Sequence, residues 1–151
     1  MIVSMIEGCN ITIGAVSFTS VQDVTIKRST REANATAVIK VPVTAVLKQK
    51  GGEKTYIETA KQIAVGDRVE IKLGYDGNLK TEFKGYVKRL NYTVPLEIEC
   101  EDYYWKLRYM TVKKSYSTTT VKQVLNDILI SAGVGSVHPS SIDLSLKNTI
   151  I

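Results

Sequence analysis

Histidine occurs once in this chain, as His138, and cysteine twice, as Cys9 and Cys100. That scarcity removes most ways of holding a metal ion or activating a nucleophile. No HExxH or CxxC spacing is present, and no second histidine joins the first, so a zinc site has no ligand set. His138 stands beside Pro139 in a segment without periodic pattern, and no GxSxG elbow marks a serine for it to serve. GxGxxG and GxxxxGK are both absent, and Gly51-Gly52 next to Glu53-Lys54 substitutes for neither phosphate loop. The expectation is therefore no metal, no cofactor and no catalytic residue. Cys9 and Cys100, far apart in sequence, read as small apolar residues of a reduced protein rather than as a disulfide.

Long apolar runs and concentrated charge are also missing. No stretch approaches the roughly 20 apolar residues that cross a bilayer as a helix. The N-terminus MIVSMIEGCN has no basic leader and meets Glu7 early, which argues against a signal peptide and for folding in the cytoplasm. The formal charge is +5, but residues 1–60 carry seven positive and five negative charges, 61–112 nine and eight, and 113–151 four and two. A dedicated nucleic-acid binder concentrates its excess in one arm, stripe or helix.

What is present is a strand pattern that specifies its own geometry. Val69, Ile71 and Leu73 alternate with Arg68, Glu70 and Lys72, and Phe83, Gly85 and Val87 alternate with Lys84, Tyr86 and Lys88. A two-residue loop at Asp76-Gly77 would set Ile71 opposite Glu82 and split the apolar faces. An odd loop, Tyr75 to Gly77 or Asp76 to Asn78, keeps Val69, Ile71 and Phe83 together, so a three-residue loop is expected despite the Asp-Gly pair. Ile98 and Cys100 alternate with Glu97 and Glu99 in a further strand, and a short helix over 102–110 follows.

Before this stretch, residues 2–22 hold short apolar pieces divided by Gly8 and Gly14, which read as short strands with tight turns. Val24 and Ile26 alternate with Thr25 and Lys27. Ala33, Ala35, Ala37, Ile39 and Val41 then share a strand face that something must pack closely, and Pro42 ends the strand or puts it at an edge. Residues 43–65 read as a strand pair with a tip at Gly51-Gly52, its lysines facing solvent. After Met110 the composition changes. Val121, Val124, Leu125, Ile128 and Leu129 fall on one helical face, with Thr120 and Gln123 spaced as a capping box and Gly133 placed to stop the helix. Ile142, Leu144 and Leu146 alternate in the tail. The apolar end Ile150-Ile151 fits a fragment, or a terminus that pairs with another chain.

The order of the pieces GDRVEIKLGY, FKGYVKRL and PLEIECEDYYWKLR resembles the first domain of phage baseplate hub proteins. These are the late-control protein D group of contractile-tailed phages and the hub part of type VI secretion spike proteins. The resemblance runs from about Val24 to Ala132 and rests on Gly66, Asp67, Gly74, Tyr75, Phe83, Gly85, Glu101, Asp102 and Trp105 as family-like structural residues. It implies a barrel domain that joins others in a homo-oligomeric ring, a trimer in the family, between tail tube and spike. Its partners would be other tube, spike and baseplate proteins, with DNA only a passenger through the lumen. The location implied is a virion tail assembled in the host cytoplasm.

Two other readings compete. Glu97 and Glu99 share a strand face with Cβ atoms about 6–7 Å apart, a spacing a carboxylate hydrolase would use; Lys84, Lys88 or Arg89 across on the next strand makes them ion-pair partners instead. Tyr75, Tyr86, Tyr92, Tyr103, Tyr104 and Trp105 offer stacking surface to an OB-like barrel that binds single-stranded nucleic acid. Bulky amphipathic rings are equally at home in subunit interfaces. The expectation carried forward is a mainly β, non-enzymatic chain. It has an antiparallel β-barrel over 1–112, then a helix (Thr120 to Ser131) and tail within 113–151 that start a second, incomplete unit, as in a truncated chain.

Overall fold

The computed structural model describes residues 8–32, 34–48, 54–75, 77–135 and 144–150, with Leu47 and Lys48 as backbone only. The chain forms two compact units, Met1–Trp105 and Lys106–Ile151.

In the first unit, seven strands make one antiparallel sheet: β1 (Gly8–Ile13), β2 (Val16–Phe18), β3 (Asp23–Lys27), β4 (Thr36–Val41), β7 (Arg68–Tyr75), β8 (Asn78–Asn91) and β9 (Leu96–Glu101). Their order is β2-β1-β7-β8-β9-β4-β3. Strands β5 (Thr44–Lys48) and β6 (Lys54–Glu58) pair only with each other, as a separate ribbon. The tip at Gly51-Gly52 lies outside the described residues.

The sheet is open, and the expected barrel does not form. β2 and β3 are its end strands, and among the described residues no ladder joins them. The alternation of apolar residues fixed which face of each strand is buried, but closure depends on pairing first strand with last, which periodicity does not encode. Here β2 has only three residues, and the ribbon strands satisfy each other rather than the sheet.

The buried face is built from rows that cross the strands in register. Ile11, Ile71 and Phe83 form one row; Val24, Ile39, Ile98 and Leu90 form another. Ile26, Ala37, Cys100 and Val87 make a third. Ile11, Ile39, Ile71, Val87 and Ile98 are fully buried, and each large aliphatic side chain in such a place contributes about 1.5–3 kcal/mol. Ala37, Ile39 and Val41 line this face from β4, with Ala35 packed against it; Ala33 lies outside the described residues. β4 ends at Val41, just before Pro42.

The hairpin between β7 and β8 departs from expectation in an informative way. Tyr75 pairs with Asn78, so the loop has two residues, with Gly77 at φ +78°. Ile71 still faces Phe83, because the register shifts at Ile71/Lys72: Lys72 pairs with Thr81, and Glu82 is the extra residue of a bulge. A second shift comes between Val87 and Arg89, making Lys88 the extra residue and returning Leu90 to the core side. Both shared faces were read correctly; the parity is restored inside the strand instead of in the loop.

Helix α1 (Tyr104–Arg108) is shorter than the expected 102–110 and straddles the boundary between the units. In the second unit, β10 (Ser115–Thr120) pairs antiparallel with β11 (Ser145–Ile150), and α2 (Val121–Ser131) follows β10 directly. Thr120 caps α2 by accepting the Gln123 N–H at 3.2 Å. Gly133, at φ +64°, and Val134 donate to Ile130 and Leu129 and close the helix as a Schellman motif. Of the apolar stripe only Val124 is buried, while Leu125 stays exposed. The polar run 113–119 gave no sign of β10, since Lys, Ser, Tyr and Thr there show no apolar face. Leu144 precedes β11 and is exposed, and Ile142 and Ile151 lie outside the described residues. No helix among the described residues is long and apolar enough to cross a membrane.

Candidate functional site

Six of the nine residues singled out in sequence meet at one end of the sheet. Tyr86, on the polar face of β8, pairs across to Arg68 on β7 and to Glu101 on β9. It is 3 % exposed, because Trp105 stacks on its ring at 5.5 Å and Tyr103 meets it edge-on at 5.9 Å. Gly66, at φ +93°, passes beneath that indole; a Cβ there would lie 3.2 Å from Trp105 Cη2. Gly85 runs against β9 so closely that a Cβ would lie 2.2 Å from the Glu101 carbonyl oxygen.

The carboxylates at this end act as connectors. Asp67 Oδ2 accepts the Ala64 N–H at 2.8 Å, and the turn docks on β8 through Gly66 N–H to Val87 O and Val87 N–H to Asp67 O. Asp102 accepts the Ala35 N–H through Oδ2 at 2.7 Å and the Tyr104 N–H through Oδ1 at 2.9 Å. One side chain thus caps α1 and ties the approach to β4 onto the end of β9. Glu101 is fully buried, with Oε1 accepting from Asn34 Nδ2 at 2.6 Å. Buried polar groups held by donors in this way fix geometry. Gly74 and Tyr75 lie at the far end of β7, about 20 Å along the strand. A Cβ on Gly74 would meet Asn78 O at 1.9 Å, and Tyr75 is half-exposed. Phe83 is in the core.

Glu97 and Glu99 are committed to neighbours. Asn91 Nδ2 donates to Glu97 at 3.0 Å and to Glu99 at 2.8 Å, and Arg89 pairs with Glu99. The Arg89 guanidinium and the Asn91 amide hold the Glu99 carboxyl below its ordinary range. On β7, burial pushes Glu70 up, but Lys84, Lys72 and Thr81 together hold it below its usual value. In the second unit, Lys114 and Tyr116 both donate to Asp127 Oδ2 at 2.8 Å and lower that carboxyl too.

Among the described residues no group of three or more His, Cys, Asp or Glu is placed to hold a metal ion, and His138 lies outside them. Both cysteines are free; burial, helped by the Glu99 charge, pushes the Cys100 thiol up to about 12.

Sequence reasoning passed over Asn34, Tyr86 as the centre of the aromatic cluster, and Thr59. Thr59 is 1 % exposed in a 3-10 turn (Thr59–Gln62); its hydroxyl donates to Pro42 O at 2.7 Å and its N–H to Val43 O at 2.8 Å. It clamps the base of a ribbon whose Val46 and Tyr56 are exposed. The signal was faint: a buried threonine looks like a surface one until its partners are known.

No family model and no curated protein matches the chain. Among solved structures, it is similar to the 43 kDa tail protein of prophage MuSo2 from Shewanella oneidensis, with a TM-score of 0.68 and 15% identity. The match covers 98% of this chain and 46% of that one, so this chain spans slightly less than half of that protein's length. What the two share is the fold: this chain has the fold of a prophage tail protein across both of its units.

Proposed function

We propose that the chain is a structural component of a phage or prophage tail, of the baseplate-hub kind, working by self-association into a ring. The observation that carries this reading is the fold shared with a prophage tail protein over 98% of the chain. The ring would be a homo-oligomer, a trimer by the family resemblance, in contact with tube, spike and baseplate proteins and with DNA as a passenger. It would reside in the virion tail after assembly in the host cytoplasm. The open sheet supports association, because edge strands β2 and β3, each paired on one side only among the described residues, and an exposed ribbon offer hydrogen-bonding and apolar surface to a neighbouring subunit.

The chain's role in this reading is steric rather than chemical, in keeping with carboxylates that are bound by Arg89, Asn91 and backbone N–H groups. The single-strand-binding alternative loses ground on two counts: the seven-stranded sheet is open, and Tyr86 and Trp105 stack on each other instead of presenting free faces. Peptide mass spectrometry of tails purified from a strain carrying the gene tests the assignment. The chain is expected in stoichiometric amount with the other tail proteins. Its absence from intact tails would refute the reading.

A further inference from the structure

β3 is an end strand, bonded to β4 on one side, and among the described residues no strand lies along its other side. Its alternate residues Val24 and Ile26, with Arg28 just past its end, line a cavity of about 470 Å³ whose lining also includes Leu73 and Tyr75 of β7. That size falls among ligand-binding clefts, about 300–1,000 Å³. A free strand edge running beside an apolar cleft is the arrangement by which proteins capture extended peptides. The edge supplies backbone hydrogen bonds, and the cleft takes every second side chain.

The rim states what charge the occupant carries. Glu82, the extra residue of the β8 bulge, is aimed at Arg28 and pairs with it at 3.5 Å, both side chains being well exposed. Lys80 also lines the cleft, and no ion pair is formed by it among the described residues. Two cations against one anion leave the rim net positive. Every paired strand in this sheet is antiparallel. An antiparallel addition to β3 brings the incoming segment's N-terminal end to Arg28.

We infer that the free edge of β3 is an acceptor site for an extended segment of another protein, five or six residues long, apolar at alternate positions and acidic at its N-terminal end. The length follows from β3 itself, which has five residues. The site goes beyond the tail assignment and does not depend on it.

The test uses the whole chain, isotope-labelled for amide spectra, and two synthetic probes: acetyl-Glu-Val-Thr-Val-Thr-Val-amide and the same peptide with Lys in place of Glu. The acidic peptide is expected to shift the amides of β3 and of Leu73 and Tyr75, and to bind about threefold more tightly than the basic one, the size of an exposed charge-pair effect. Lys80→Glu, at an exposed position, is expected to remove or reverse that preference while leaving the melting temperature unchanged. No perturbation along β3 at millimolar peptide would overturn the proposal. So would equal binding of the two peptides.

Discussion

Gly85 and Gly77 both lie in the hairpin of β7 and β8, yet they are glycine for different reasons. At Gly85 a side chain has no room, since its Cβ would meet the Glu101 carbonyl at 2.2 Å. At Gly77 there is open space, and only the positive φ of 78° disfavours other residues. Gly85→Ala is therefore expected to cost roughly 3 kcal/mol, the upper end of overpacking, and Gly77→Ala about 1 kcal/mol. Equal losses in denaturant melts would contradict this reading. Charged residues give a second expectation. Glu99, Asp127 and Glu70 all titrate below their ordinary values when folded. A carboxyl lowered in this way favours the folded state above its unfolded pKa, and the advantage disappears as pH falls through the folded value. Stability is thus expected to hold down to about pH 5 and to fall below the ordinary carboxylate range near 4. Glu99→Gln should flatten that fall; an unchanged pH profile would show that Arg89 and Asn91 do not matter to the titration.

At the scale of elements, the sequence was most legible where side chains alternate and least where the count of residues changes. Val69, Ile71 and Phe83 were placed on one face because their neighbours are charged, and all three are buried there. The bulges at Glu82 and Lys88 were not anticipated. One of them had left a trace: Val87 and Leu90 are three apart, which a regular strand cannot place on one face. The helix α2 was readable at both ends because caps are local chemistry, whereas β10 was not, because a polar strand of a two-stranded ribbon has no apolar period to show. The aromatic end of the sheet was half legible. Gly66, Gly85 and Trp105 stood out, but that Tyr86 joins them follows from a register no local pattern contains. Phe83→Ala should cost about 3–5 kcal/mol. Tyr56→Ala, on the exposed ribbon, should change stability by less than about 0.5 kcal/mol. A Phe83 loss under 1 kcal/mol would mean that the row with Ile11 and Ile71 is not core.

For the whole molecule, exposed apolar side chains stand on the ribbon, around the β8–β9 connection at Tyr92 and Val94, and in the second unit. Val46 and Tyr56 stand on the ribbon; Leu125, Ile130, Leu144 and Ile150 stand in the second unit, where an 11-residue amphipathic helix buries one residue of its stripe. An amphipathic helix gains most of its stability from covering that stripe. The chain covers 46% of the similar tail protein's length, and under the proposed self-associating reading a concentration-dependent association is expected. The reading of a self-associating tail component is tested most directly by light scattering across a concentration series up to hundreds of micromolar. Mass rising from the 16.7 kDa monomer toward three times that value is the expected result. A species that stays at 16.7 kDa throughout, in this chain and in a longer form carrying further tail-protein sequence, would contradict the account.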